Sequence, residues 1–100
     1  MEEEGEVSFH RLAELELNEA ADYYELERHG LGARFLREVN HCIDLIVKHP
    51  QAGAIILEDV RRWLLRRFPY AILYAIRPEG VRILSIMNLK RRPLYWAGRS

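Results

Sequence analysis

Only one cysteine, Cys42, stands in this sequence. That excludes an internal disulfide and any zinc site built from several thiolates, and it fits a reducing cytoplasm. The four histidines (His10, His29, His41 and His49) all fall in the first half. No His, Asp, Glu and Cys residues share metal-ligand spacing, so neither a metal nor another cofactor is expected. No apolar run approaches the length of a membrane span. The acidic start, residues 1–6, lacks the basic-then-apolar order of a signal peptide and reads as a frayed tail. With no internal repeat, low-complexity segment or linker, the 100 residues read as one domain with one modest core.

Net charge is also absent, since 15 basic residues balance 15 acidic ones. The balance hides a segregation. Residues 1–30 hold ten acidic residues against Arg11 and Arg28. Residues 60–100 hold ten basic residues, nine of them Arg, against Glu79 alone. Two readings are open: the halves neutralise each other where they pack, or an electropositive surface serves a polyanion or an acidic peptide. Arg favours the second, because its planar fork meets phosphate and carboxylate groups bidentately.

What the sequence does have is clear patterning. Val7, Phe9 and Arg11 alternate with polar residues and predict a short strand at about 7–12. Ala13, Leu17, Ala20, Ala21 and Tyr24 recur at helical spacing, with Gly30 as a stop. Leu31, Phe35, Val39, Cys42, Ile43 and Ile46 mark a second helix from Leu31 to Lys48, closed by Pro50. The short loop between them predicts an antiparallel helix pair. The run Ala54 to Leu57 fits a strand or a packed turn equally well. Val60 to Arg67 reads as a strand with basic residues on both faces. In the next strand Tyr70, Ile72, Tyr74 and Ile76 share one face, and Ala71, Leu73 and Ala75 the other, as in a strand covered on both sides. Pro78-Glu79-Gly80 turns the chain into a second β-branched run, Val81 to Asn88. The order is β-α-α-β-β-β, an α+β domain whose helical hairpin packs on one face of an antiparallel sheet. The other face, with the tail after Asn88, is where the arginines are expected to gather.

Several of these pieces together resemble the RelE/ParE family of bacterial toxin–antitoxin pairs. The first helix shows Ala13, Glu16, Leu17, Glu19, Ala20, Tyr23 and Tyr24. The second opens Gly30-Leu31-Gly32 with Phe35, Glu38 and Val39, and ends His49-Pro50. The sheet carries Arg61 and Leu64, then Phe68-Pro69-Tyr70 with Ile72 and Tyr74. The tail carries Arg91, Pro93, Tyr95-Trp96 and Arg99. The resemblance runs from about Phe9 to Arg99. It implies the same fold and a cognate antitoxin as partner. ParE-like members poison DNA gyrase by binding it, whereas RelE-like members cut mRNA on the ribosome.

Catalysis of RNA cleavage needs an acid, a base and a cation for the phosphorane charge. The resemblance places Tyr95 and Arg91 at nuclease positions; a nuclease here would use Tyr95, with Arg91 and Arg62 as phosphate clamps. It also places Ala71 and Leu89 where nuclease members have arginines, and Asn88 where many ParE-like members have histidine. The set is incomplete, and the Tyr-Trp-x-x-Arg ending is more ParE-like. Gyrase inhibition is therefore the expected function. An mRNA endoribonuclease and a non-toxic antitoxin binder are the alternatives. Antitoxin or target contacts are expected at Arg61, Arg62, Trp63, Arg66, Arg67, Arg82, Lys90, Arg92, Trp96 and Arg99. Tyr95 and Trp96 fit equally well as packing for the tail. Direct nucleic-acid binding is expected to be weak and without sequence preference, because neither helix reads as basic; DNA is reached through the antitoxin.

Overall fold

The structure, a computed structural model, describes residues 6–91 and 94–100. Strand β1 (Glu6–Phe9) is followed by helices α1 (Arg11–Glu27) and α2 (Leu31–Lys48). Four strands come next: β2 (Ala54–Leu57), β3 (Val60–Leu64), β4 (Tyr70–Arg77) and β5 (Gly80–Asn88). They make one sheet in the order β1-β5-β4-β3-β2. The α+β architecture and the helical hairpin follow the expectation, with two differences. The undecided run 54–57 is an edge strand, antiparallel to β3. The sheet is mixed, because β1 pairs with β5 in parallel, Val7 opposite Val81. The helical hairpin between β1 and the remaining strands supplies the long crossover that a parallel pair requires.

Local chemistry sets the boundaries. The first strand ends at Phe9, short of the predicted 12, because His10 caps α1. Its Nδ1 accepts from the Leu12 amide at 3.1 Å. At the hairpin corner Gly30 takes φ 88°, a left-handed conformation that side chains disfavour. There the Glu25 carboxylate accepts from the amides of Gly30 and Gly32, at 2.9 and 3.0 Å. Strand β3 stops at Leu64 rather than Arg67. Leu65 still donates to the Tyr70 carbonyl at 3.0 Å, but the amides of Arg66 and Arg67 turn to the Glu38 carboxylate on α2.

The sheet is buried on both sides. On one face Ala13, Ala20 and Ala21 of α1, with Phe35, Val39, Cys42, Ile43 and Ile46 of α2, pack on Tyr70, Ile72, Tyr74, Val81, Ile83 and Ile86. Tyr24, Phe35, Phe68 and Tyr70 interlock there, with ring centroids 4.9 to 6.1 Å apart. On the other face Val60, Ala71, Leu73, Ala75 and Leu84 are closed over by Trp96. Ile76, assigned by alternation to the helix face, lies near the strand end and is 40 % exposed. A bulge shifts the pairing, from Leu73 opposite Ser85 to Tyr74 opposite Ile83. Leu84 is the extra residue, so Ile83 and Ile86, three apart, both reach the helix face.

Gly53 is tied to the core by one side chain. The Tyr74 hydroxyl donates to the Pro50 carbonyl at 2.8 Å and accepts from the Gly53 amide at 3.0 Å. A Cβ at Gly53 would lie 2.3 Å from that oxygen, so no larger residue fits. Tyr74→Phe therefore strands two backbone groups beneath the α2–β2 loop. It is expected to cost about 1–3 kcal/mol in urea denaturation, and a loss below about 0.5 kcal/mol would show that the bonds are replaced.

The His10 cap predicts a pH dependence. Its pKa is held below the ordinary imidazole value, first by desolvation and then by Arg99, Arg82 and Arg11. Folding thus favours the neutral ring, and protonation removes the accepting lone pair. This contribution is fully present above the unfolded pKa of about 6.5 and is lost as pH falls through the lower folded value. His10→Asn keeps an acceptor without the titration. Its Tm should fall less than that of the native chain as pH drops below neutrality; parallel pH profiles would contradict the assignment.

Candidate functional site

The basic and aromatic residues of the last third do not form one face. Trp96 is 2 % exposed, inside the cluster that closes the second sheet face. Arg99 reaches across the end of the sheet to Glu16 on α1. Its Nη1 lies 3.1 Å from one carboxylate oxygen and its Nη2 2.9 Å from the other, and Nη1 also donates to the Leu84 carbonyl at 3.0 Å. Glu16 in turn accepts from the Ser85 hydroxyl at 2.9 Å and the Ile86 amide at 3.0 Å. Strand β1 stops pairing at Ile83, so the ion pair supplies hydrogen bonds to the uncovered edge of β5. The two side chains are only 11 % and 15 % exposed.

Other expected contact residues are also occupied. Arg61 donates to the carbonyls of Gln51 and Gly53, at 2.8 and 2.9 Å. Arg82 Nε donates to the Ser100 carbonyl at 3.3 Å. Arg62 and Lys90 are exposed but on separate elements, and Arg92 lies outside the described residues. Arg91 stacks over the Tyr95 ring, 4.3 Å from its centroid. Tyr95 and Ser85 share a hydrogen bond of 3.3 Å. Burial first, and Glu16 further, raise the Tyr95 pKa against opposing effects of Ser85, Arg91 and Arg99. A phenol so placed is not a base near neutral pH. Arg62 stands two strands from Ser85, about 10 Å by strand spacing, and does not line the small pocket beside Tyr95. The three residues of the nuclease expectation are not one constellation.

Trp63, Arg66 and Arg67 are brought together, with residues that the sequence reading passed over. They line a groove of about 820 Å³ between α2 and the β3–β4 turn. Arg28, at the end of α1, and Arg34 and Arg37 of α2 complete its rim. Its apolar lining includes Leu31, Leu45, Trp63 and Phe68. Arg34, Arg37 and His41 follow at three and four residues, a second stripe beside the apolar stripe of α2. That spacing was the available signal, and it corrects the view of both helices as lacking a basic face. Among the described residues Glu38 is the one acidic residue in the lining, and its carboxylate is engaged by the Arg66 and Arg67 amides. None of the five arginines makes an ion pair among the described residues. Cys42 borders the groove as a buried thiol whose pKa is raised, chiefly by desolvation, and so is a poor nucleophile. Among the described residues no group of three His, Cys, Asp or Glu could hold a metal ion. No helix described is long and apolar enough to cross a membrane.

A family model described as the ParE toxin of the type II toxin–antitoxin system parDE matches residues 7–93. Among solved structures the chain is similar to one titled as the chromosomal ParDE system of P. aeruginosa. The TM-score is 0.76 at 17 % identity, over 86 % of this chain and 97 % of that one. Curated proteins offer no match.

The Glu16–Arg99 pair predicts a sharp contrast between arginines. Arg99→Ala leaves a largely buried carboxylate unpaired and should cost about 3–5 kcal/mol in chemical denaturation. Arg34→Ala, at an exposed rim position, should stay within about 0.5 kcal/mol. Equal costs would refute the division into structural and surface arginines.

Proposed function

The chain belongs to the ParE toxin family of type II toxin–antitoxin systems, and from that premise we propose that it inhibits DNA gyrase by protein binding and is silenced by an antitoxin seated in the arginine-rimmed groove. The observation that carries the antitoxin reading is the groove itself: five guanidinium groups around an apolar floor, none in an ion pair among the described residues. An acidic amphipathic segment meets both features, with apolar anchors on Trp63 and Leu45 and carboxylates on the rim. Arginine and tryptophan are also the residue types in which interface energy concentrates.

Gyrase as the target is supported by family membership and by what the chain lacks as a nuclease. Ala71 lies fully buried in the second-face cluster, so no arginine is offered from that position near the start of β4. Tyr95 is hydrogen-bonded to Ser85 and covered by Arg91, and of the two carboxylates in its pocket Glu16 is already paired with Arg99. Toxicity is then a matter of surface recognition, and masking a shared surface would switch it off.

Two measurements test this. Purified protein at micromolar concentration should inhibit gyrase supercoiling or trap its cleavage complex; new 5′ ends in translated mRNA without any gyrase effect would replace the reading with ribosomal cleavage. By titration calorimetry against the cognate antitoxin, Arg37→Glu with Arg66→Glu should weaken binding by about 2–5 kcal/mol. Glu14→Lys with Asp22→Lys, on exposed positions of α1, should change it by less than about 1 kcal/mol. The opposite ranking would move the antitoxin to the acidic helix.

A further inference from the structure

The groove has more cationic capacity than its architecture uses. Three separate segments deliver the five arginines: the end of α1, one stripe of α2, and the β3–β4 turn. Five like charges around one concavity repel one another modestly and focus a positive potential that raises the local concentration of anions. Among the described residues the lining holds one carboxylate, which offsets at most one of the five charges and lies on two backbone amides. Glu38 thereby holds the turn that presents Arg66 and Arg67 opposite Arg34 and Arg37.

We propose that this groove also binds a single strand of nucleic acid, with the arginines on successive phosphates and bases laid on the apolar floor. Guanidinium groups match phosphate oxygens bidentately and are less strongly hydrated than ammonium groups, so they give up water at lower cost. The floor decides between strand and duplex. A duplex turns its phosphates outward and keeps its bases stacked inside, leaving Trp63, Leu31 and Leu45 uncovered. A single strand can turn bases inward, and any base has an apolar face to stack on an exposed ring. Trp63 is half-buried, so part of its ring remains open to the groove. Among the described residues the lining supplies no carboxamide for base-edge recognition, so binding is expected to be without strong sequence preference.

The inference does not depend on the antitoxin reading, although the two occupants would exclude each other. A strand held in the groove would be displaced by an acidic antitoxin segment. Neutralisation would then also release the protein from nucleic acid.

Fluorescence anisotropy with a labelled oligothymidylate about 12 nucleotides long tests it. The full chain should bind at about 50 mM salt and weaken towards 200 mM, with a log–log slope of about −0.7 for each phosphate contacted. Arg34→Glu with Arg37→Glu on one wall, and Arg66→Glu with Arg67→Glu on the other, should each weaken binding at least roughly tenfold. Arg62→Glu with Lys90→Glu makes the same charge change at exposed sites outside the groove and should weaken it less than roughly threefold. Thermal melting of each variant confirms that it is folded. Absent binding at low salt would overturn the proposal, as would equal losses in the control. A duplex of the same length that bound as tightly, and responded to the same variants, would overturn the strand assignment. If the groove variants lose the antitoxin but hold the oligonucleotide unchanged, this inference fails and the antitoxin reading stands. The reverse result would leave this inference standing and remove that reading.

Discussion

The pairing of Glu16 with Arg99 is the contact on which the rest of the architecture depends. Strand β1 is too short to cover β5, and the bulge at Leu84 leaves that uncovered edge irregular. An open edge with unpaired amides and carbonyls is a liability for a small sheet. The ion pair closes it, with the carboxylate taking the Ile86 amide and the guanidinium giving to the Leu84 carbonyl. Because Arg99 is anchored there, Trp96 three residues earlier is held over the second sheet face. One bidentate contact thus joins α1, β5 and the C-terminal tail. Such a pair is not a strong net stabiliser, since both charges lose hydration. Its contribution is geometric: the same guanidinium group meets both carboxylate oxygens and the Leu84 carbonyl, which ties the tail to α1 and β5.

This contact also resolves the charge segregation. The acidic first third and the basic last third neutralise each other only in part: Glu16 takes Arg99, and Asp59, from the middle of the chain, takes Arg77. Glu25 serves the corner between the helices and Glu38 holds the β3–β4 turn, so carboxylates that could have balanced arginines are committed to backbone amides. Of the basic residues in the last third only Arg66 and Arg67 reach the groove, where they meet Arg28, Arg34 and Arg37 from the helices. Packing of the two halves and an electropositive surface, the two readings of the composition, are therefore both realised, at different places.

The helices and the central hairpin were legible because their signals are local. The α2 stripe ends where Pro50 must end it, and β4 alternates apolar residues on both faces until Pro78 turns the chain. The caps and edge closures were not legible. His10 is an unusual cap, and Glu38 meets a turn 28 residues away, while Glu16 meets Arg99 across 83 residues. Such contacts leave no periodic mark in the sequence. The same reason hid the site. Trp96 and Arg99 stood out by residue type, yet the fold uses both internally. Arg34 and Arg37 looked like the solvated side of a helix, and only the docking of the β3–β4 turn makes them one wall of a groove. Trp63, Arg66 and Arg67, which line the groove, lie in a strand and turn whose basic character is visible without tertiary information.

A tail that builds the fold is thus distinct from the groove proposed to receive a partner. Hydrogen–deuterium exchange of the protein alone and bound to its antitoxin tests that separation most directly. The Ile86 amide and the 94–100 segment should already be protected in the free protein and change little on binding. New protection should appear in α2 and across residues 63–69. Exchange that slows at 94–100 on binding, with α2 and the β3–β4 turn unaffected, would contradict it and place the partner on the tail.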